Sequence, residues 1–389
     1  MSRNPSGGQR AVAAPLDVDV LLADPATRII VCCGAGGVGK TTTAAAIGLR
    51  AAEQGRRVVV LTIDPARRLA QAMGLVELDN TPRQVQGVDE SAGGRLDAMM
   101  LDMKRTFDEI VEGHSTPEKA QQILANPFYQ AVSSSFAGTQ EYMAMEKLGQ
   151  LRAQADQEGT WDLVVVDTPP SRSALDFLDA PQRLGSFLDG RFIRLLMAPA
   201  KAGSRAYLRA FSVGVNVVTN TLTKVLGASM LGDVQTFVAA LDTMFGGFRE
   251  RADATYRLLQ DQGTAFVVVA APERDALREA AFFVERLERD HMPMAGLVLN
   301  RVHDLAHLAP SAERSLAAAE MLAERGEHEL TQQLLRLHAD RVRVVEREQT
   351  MVERFTRAHR EVPLRRVRAR AEDVHDLPGL RGIGADLAG

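Results

Sequence analysis

Short apolar runs separated by longer mixed segments set the pattern of this chain. Each run is rich in β-branched residues and is followed by turn residues and then by apolar positions at helical spacing. The runs are predicted to be buried parallel strands: Arg28–Cys33, Arg57–Thr62, Asp162–Val166, Ala265–Ala270 and Gly296–Leu299. This alternation predicts an α/β fold with a doubly wound, mainly parallel sheet that binds ligands at the carboxyl ends of its strands.

Two long segments break the alternation. Residues 99–151 and 181–260 have apolar positions at helical spacing, and we predict that they form a helical lobe inserted into the sheet domain. Residues 312–360 are helical and charged, which predicts a solvated hairpin. Residues 1–20 are predicted to be a disordered tail, and residues 21–389 a single domain whose C-terminal stretch returns to the sheet and then frays.

The composition narrows the functional classes. A formal net charge of −4 provides no basic field for nucleic acid. The only cysteines, Cys32 and Cys33, are adjacent, which excludes a cysteine-based zinc site within one chain. The most apolar long stretch, Phe211–Gly232, holds too many polar residues for a bilayer core. We expect a cytoplasmic protein, with peripheral contact to a membrane as an option.

The segment Gly34–Thr41 matches the phosphate-binding pattern G-x-x-x-x-G-K-[ST] in full, between a predicted strand and a predicted helix. Backbone N–H groups of such a loop and the helix N-terminus bind phosphate oxygens. We predict that Lys40 reaches the β- and γ-phosphates of ATP and contributes to catalysis, while the Thr41 hydroxyl binds Mg²⁺. The expected nucleotide ligands are Gly34, Gly36, Gly37, Val38, Gly39, Lys40, Thr41 and Thr42.

Two aspartates end predicted strands at the edge where the phosphates would bind. Asp167 follows an apolar run, which is the Walker B arrangement, and is predicted to hold Mg²⁺ through water. Asp64 is predicted to orient or activate the attacking water. Asp64 also precedes Pro65, so the alternative is a cap for a helix that begins there; the functional role is the favoured interpretation, and the two roles are compatible.

Together these segments resemble the arsenite-pump ATPase family, ArsA, which includes the cytosolic ATPases that target tail-anchored membrane proteins. The resemblance rests on the phosphate loop, Asp64-Pro65-Ala66, and Asp167 to Ser171. Further similarity is spread over shorter motifs: Phe136–Glu141, Asp176–Pro181, Ala271–Glu273 and Leu299–Arg301. It covers residues 28–300 and becomes thin after Arg301.

The resemblance implies a P-loop sheet of the deviant Walker A class and a dimer with ATP at its interface. Asp64 would lie in the first switch and Asp167 in the second, and the helical lobe would form an apolar groove for a hydrophobic client. Asn300 would recognise adenine, although a turn residue at the end of a strand is the alternative.

Four features depart from the family pattern. Ala35 replaces the lysine that reaches across the dimer, which predicts slow hydrolysis alone and a partner subunit that keeps the lysine. The C-x-x-C zinc clip is absent, and no cysteine outside Cys32 and Cys33 is available for arsenite. The second switch continues Pro170-Ser171-Arg172-Ser173 in place of P-T-G-H.

The leading hypothesis is an ATPase whose cycle opens and closes a helical site for a hydrophobic client, a membrane-protein segment or a lipid. The alternatives are a nucleotide-binding regulatory subunit that needs a lysine-bearing ATPase, and a positioning ATPase of the ParA or MinD type. A small-molecule kinase is the least favoured, because the sequence has no recognisable acceptor pocket or arginine-rich lid.

Overall fold

The apolar runs form the centre of one eight-stranded sheet. The computed structural model describes residues 14–64, 68–126, 129–130, 139–169, 250–303, 310–326 and 328–388. Its strands are β1 Ile29–Gly34, β2 Arg57–Thr62, β3 Arg83–Gln84, β4 Arg95–Met100, β5 Leu163–Asp167, β6 Thr264–Ala270, β7 Met294–Val302 and β8 Leu364–Arg368. The order is β3-β4-β2-β5-β1-β6-β7-β8, and only the pairing of β3 with β4 is antiparallel.

Helices cover both faces of this sheet. They are α1 Val18–Ala23, α2 Lys40–Glu53, α3 Arg68–Ala72, α4 Met103–His114, α5 Pro117–Leu124, α6 Thr139–Glu158, α7 Arg274–Arg289, α8 Ala312–Glu324, α9 Glu329–Ala358 and α10 Leu377–Leu387. Successive β1 side chains enter opposite cores: Ile30 and Cys32 pack with α2, whereas Val31 and Cys33 pack with α6 and α7. The strand is therefore apolar along its whole length, as a parallel strand covered on both faces must be.

The predicted fold class and the five predicted strands are confirmed: β2 has the predicted bounds, and the ends of the other four differ by at most three residues. Strand β4 was missed because Asp97 interrupts its apolar pattern. That carboxylate is buried, and it accepts hydrogen bonds from Trp161 Nε1 at 2.8 Å and from Arg95 Nη2 at 2.9 Å. Paired in this way, a charged residue is tolerated within a buried strand.

The first predicted insertion, residues 99–151, differs from its prediction at its start. Met99 and Met100 end β4, and the first helix begins only at Met103. Buried residues of α4, α5 and α6 join the hydrophobic cluster on one face of the sheet, so these helices pack directly on it. Of the second predicted insertion, residues 181–249 lie outside the described residues, and residues 250–260 are helical as predicted.

Both ends of the domain are more ordered than predicted. Residues 14–20 lie within the stretch predicted to be a tail, yet Leu16 N donates to Leu364 O at 3.1 Å and Val18 is fully buried in α1. Residues 1–13 lie outside the described part. At the other end, β8 returns to the sheet as predicted, but the chain does not fray, because α10 packs against α2 through Leu380 and Ile383.

Helix α2 and strand β1 place the phosphate-binding segment where the sheet changes its direction of growth. The chain moves from β1 to one side of the sheet through β2 and to the other side through β6. Loops that follow neighbouring strands diverge at this point and leave a crevice. Within the described residues, no helix combines the length and apolar character needed to cross a bilayer.

Candidate nucleotide site

The loop between β1 and α2 is held open by glycine conformations and by one lysine. Gly37 and Gly39 have φ values of +76° and +92°, a region that favours glycine. Lys40 begins α2, and its Nζ donates to Ala35 O at 2.8 Å across the loop. Burial lowers the pKa of Lys40, while the carboxylates of Asp167 and Asp64 oppose that effect. The ammonium is thus oriented inside the loop before any ligand arrives.

Asp167 lies at the end of β5 and is fully buried. Burial raises the pKa of this carboxyl from 3.8 to about 6, although Thr41, Thr62 and Lys40 act in the opposite direction. Its Oδ2 accepts a hydrogen bond from Thr62 Oγ1 at 2.9 Å. Its Oδ1 is buried and has no hydrogen-bond partner in the described parts of the chain.

An unpartnered carboxylate oxygen beside a threonine hydroxyl fits Mg²⁺, which prefers oxygen ligands. No group of three or more potential ligands among His, Cys, Asp and Glu occurs within the described ranges, so an all-protein metal cage is not present there. Mg²⁺ in nucleotide sites is held by few protein groups together with phosphates and water. The predicted pair, Thr41 and Asp167, therefore has the right chemistry for a metal that arrives with the nucleotide.

Asp64 lies two residues beyond β2 and lines the same cavity as Lys40 and Thr41. Its backbone N–H donates to Thr62 Oγ1 at 3.2 Å, and the same hydroxyl donates to Asp167. One threonine therefore connects the two predicted acidic positions. The helix that Asp64 was expected to cap would begin at Pro65, which lies outside the described residues.

Asn300 is placed against the phosphate loop rather than in a turn. It belongs to β7, it is buried, and its Nδ2 donates to Val38 O at 2.8 Å. A Cβ on Gly39 would lie 2.2 Å from that nitrogen, so the glycine is needed for the contact. Arg301 adopts φ +60° next to a register shift between β7 and β8. Adenine recognition by Asn300 stays a prediction, but its contact with the loop is part of the fold.

A cavity of about 710 Å³ connects the loop to the C-terminal part of the chain. That volume is in the range of small-molecule sites. Its lining includes the predicted residues Gly37, Gly39, Lys40, Thr41, Thr42, Asp64 and Asn300. The lining also includes residues that sequence analysis missed: Gln71, Arg301, His303, Arg368, Ala369, Arg370, Glu372, Asp373, Val374, His375 and Ile383. A run of arginines after Pro363 was the only sequence signal for this wall.

The C-terminal wall is fixed by a buried carboxylate. Asp386 in α10 accepts hydrogen bonds from Arg368 Nη2 at 2.6 Å and from Arg370 Nη2 at 2.8 Å. Since α10 packs on α2, this ion cluster ties the wall to the helix that follows the phosphate loop. On the neighbouring side, His303 Nδ1 and Glu348 Oε1 of α9 are 2.7 Å apart.

Ala35 and the two cysteines belong to the packed interior. Ala35 is 7% exposed and contacts the core between the sheet and α2. Burial raises the pKa of the Cys33 thiol to about 12 and that of Cys32 well above its usual value. They are therefore packing residues, as their strand pattern indicates.

Comparison with known proteins agrees with this geometry. The family described as anion-transporting ATPase matches residues 27–321. The chain is 22% identical over 277 residues to ATPase ASNA1 homolog 1 of Paramecium tetraurelia, covering 69% of this chain and 73% of that protein. It is 26% identical over 270 residues to ATPase ASNA1 homolog of Cryptosporidium parvum, with 69% and 63% covered.

ATPase GET3 of Malassezia globosa is 29% identical over 172 residues, which cover 44% of this chain and 48% of that protein. The family match includes the phosphate loop, both aspartates and Asn300, and it ends before α9, β8 and the C-terminal wall of the cavity. Because it covers well over half of the sequence, this chain belongs to the anion-transporting ATPase family, ArsA, and is an ATPase.

Proposed function

We propose that this protein binds Mg-ATP in the 710 Å³ cavity and uses hydrolysis to change the position of its helical insertion. The observation that carries the proposal is that buried Lys40, at the start of α2, lies at the same sheet edge as the hydrogen-bonded pair Thr62 and Asp167, which end β2 and β5. Asp167 ends the last strand before residues 170–249. A change in the groups that Asp167 contacts would therefore shift the residues at the start of that segment.

The residues divide the chemistry among them. Bound Mg²⁺ would neutralise charge that develops on the β- and γ-phosphates. Thr41 would hold it by its hydroxyl, and Asp167 by a carboxylate oxygen or through water. Lys40 would exchange its bond to Ala35 O for phosphate oxygens, which is favourable because the ammonium is already oriented. Asp64, half-buried on the cavity wall, would orient the attacking water.

Steady-state ATP hydrolysis by the purified chain tests this proposal. Lys40→Ala should abolish Mg²⁺-dependent turnover, because it removes the cation nearest the phosphates. Lys119→Ala is the matched control, since Lys119 is an exposed lysine on α5. Equal loss in both variants, or turnover that survives Lys40→Ala, would show that the activity does not come from this site.

A second candidate, favoured by Ala35, is a subunit that depends on a partner ATPase for rapid turnover. A dimer partner that carries a lysine at this position would supply a cation analogous to an arginine finger, worth roughly 10³–10⁵ in rate. Ala35→Lys should then raise turnover of the isolated chain well above that of Ala35→Met, a control of similar length without charge. Equal rates for the two variants would remove the argument for a lysine-bearing partner.

The cargo of the cycle is proposed to be hydrophobic, either a membrane-protein segment or a lipid, met in the cytoplasm or at a membrane surface. The residues that motivate this are Phe187, Phe192, Met197, Phe211, Met230, Phe237, Met244 and Phe245, all of which lie outside the described residues. Methionine-containing apolar surfaces adapt to varied partners. Binding of a hydrophobic dye should differ between ATP-bound and nucleotide-free protein, and identical binding would contradict this proposal.

A further inference from the structure

The hairpin of α8 and α9 buries its small side chains and exposes its large ones. Its own core consists of Ala312, Ala339 and Val342, with Leu316 beside them. Three leucines of α9 point outward instead, with exposed fractions of 70% for Leu330, 56% for Leu334 and 67% for Leu337. Within the described chain, this is a concentration of exposed apolar surface, which marks a site of interaction in a folded protein.

The exposed leucines continue a face that is buried further along the same helix. Leu330, Leu334, Leu337, Arg341 and Val344 follow one another at spacings of four and three residues. The same spacing leads on to Glu348, Val352 and Phe355, which are buried against the rest of the domain. We call residues 330–344 on this face the α9 stripe; at 1.5 Å per residue it is about 21 Å long.

A second row of charged residues borders the α9 stripe on one side. Glu329, Arg336, Asp340, Arg343 and Arg347 repeat at spacings of seven, four, three and four residues. All five are exposed. The only ion pair among them is a loose one, 4.0 Å between Arg343 and Asp340. Apolar seams bordered by charges are the pattern with which helices select a partner and its direction.

We propose that the α9 stripe is the contact surface for a second copy of this chain, with the two helices antiparallel and centred on Leu337. In that register Glu329 of one copy lies between Arg343 and Arg347 of the other, and Arg336 lies beside Asp340 of the other. Two-fold symmetry forms each of these pairings twice. The charge row is therefore complementary to itself when it is reversed.

Parallel pairing is opposed by the seam itself. It would set two Arg341 side chains against each other among the apolar residues. It would also turn the charged row of each copy away from that of the other, so that none of the pairings described above could form. In the antiparallel register Arg341 instead lies beside Leu334 of the second copy, where its aliphatic stem covers apolar surface. The Arg341 contact in a parallel pair and the unlike charges across the symmetry axis of an antiparallel pair thus fix the direction.

An anionic membrane fits this surface less well than a second copy does. The carboxylates Glu320, Glu324 and Glu329 lie at the tip of the hairpin, close in sequence to the apolar residues that would have to enter the lipid. Negative lipid headgroups attract basic segments and repel such a tip.

The contact between two copies is expected to be small. The stripe is one helix wide and about 21 Å long, so it offers less than the ~800 Å² that each partner buries in a standard protein–protein interface. We therefore expect a weak, concentration-dependent association that is independent of nucleotide.

Disulfide trapping of the full-length protein tests the register. Leu337→Cys places one thiol per copy on the symmetry axis, while the native Cys32 and Cys33 are buried. Mild oxidation should give a covalent dimer at least roughly ten times faster than for Glu346→Cys, an exposed position on the opposite side of α9. Equal rates for the two variants, or no dimer from Leu337→Cys, would overturn the proposal.

Charge reversal separates self-association from other partners. Glu329→Arg alone, and Arg343→Glu with Arg347→Glu in another variant, should each weaken self-association roughly tenfold in sedimentation velocity. A mixture of the two variants should regain it, because each copy then meets its opposite charge. Failure of the mixture to associate refutes the antiparallel pairing. Enhanced binding of Glu329→Arg to phosphatidylserine vesicles without self-association would assign the surface to a membrane instead.

Discussion

Replacing Asp167 by asparagine is the sharpest test of how the site is built. The substitution keeps the shape and the acceptor for Thr62 Oγ1 but removes the negative charge. The carboxyl is fully buried, and burial raises its pKa from 3.8 to about 6. Each unit of pKa difference corresponds to about 1.4 kcal/mol, so the ionised form costs the folded protein about 3 kcal/mol near pH 8.

The direction of the pH effect follows from that raised pKa. Well below pH 3.8 the carboxyl is protonated in both folded and unfolded chains, and the cost is absent. As pH rises from 3.8 to about 6, the unfolded chain loses this proton while the folded chain keeps it. The free energy of unfolding of the wild type should therefore fall, relative to Asp167→Asn, by about 2 kcal/mol between these limits and by about 3 kcal/mol over the whole titration.

Urea unfolding of both proteins at about pH 4, 6 and 8, without Mg²⁺ or nucleotide, measures this difference. The asparagine N–H left without an acceptor adds a constant penalty of about 1–3 kcal/mol, which does not depend on pH. A difference between the two proteins that stays constant across the pH range would refute the reasoning. Asp167→Asn should also lose Mg²⁺-dependent hydrolysis, so the variant should be inactive while its stability relative to the wild type improves as pH rises.

Three other substitutions test the walls of the cavity. Gly39→Ala puts a Cβ 2.2 Å from Asn300 Nδ2 at a φ of +92°, so the affinity for ATP, measured by titration calorimetry, should fall at least roughly tenfold. In the Gly37→Ala control the added Cβ meets no atom within 4 Å, so that variant should lose less affinity for ATP. Asn300→Ala should raise the KM for ATP and GTP equally if it only braces the loop; a selective loss for ATP would instead assign it to adenine. Asp386→Ala leaves Arg368 without its buried carboxylate, so the melting temperature should fall and the KM for ATP should rise. An unchanged KM would mean that the C-terminal wall does not contact the nucleotide.

The sequence by itself determined the sheet and the phosphate loop. Buried parallel strands must be apolar on both faces, so their runs are visible without any tertiary information. The motif from Gly34 to Thr41 is local, because the backbone of one loop supplies most of the phosphate contacts. The strand positions of Asp64 and Asp167 then followed from where apolar runs end.

Tertiary structure decided what depends on residues far apart in the chain. Strand β4 was hidden because one of the two groups that hydrogen-bond Asp97 in the core, the indole of Trp161, is 64 residues away. The contact of Asn300 with Val38 spans 262 residues, and nothing near either residue predicts it. The wall formed by residues 368–375 exists only because α10 returns to pack on α2. Similarly, periodicity places residues 330–355 on one face of α9, but only packing buries its C-terminal half and leaves the leucines exposed.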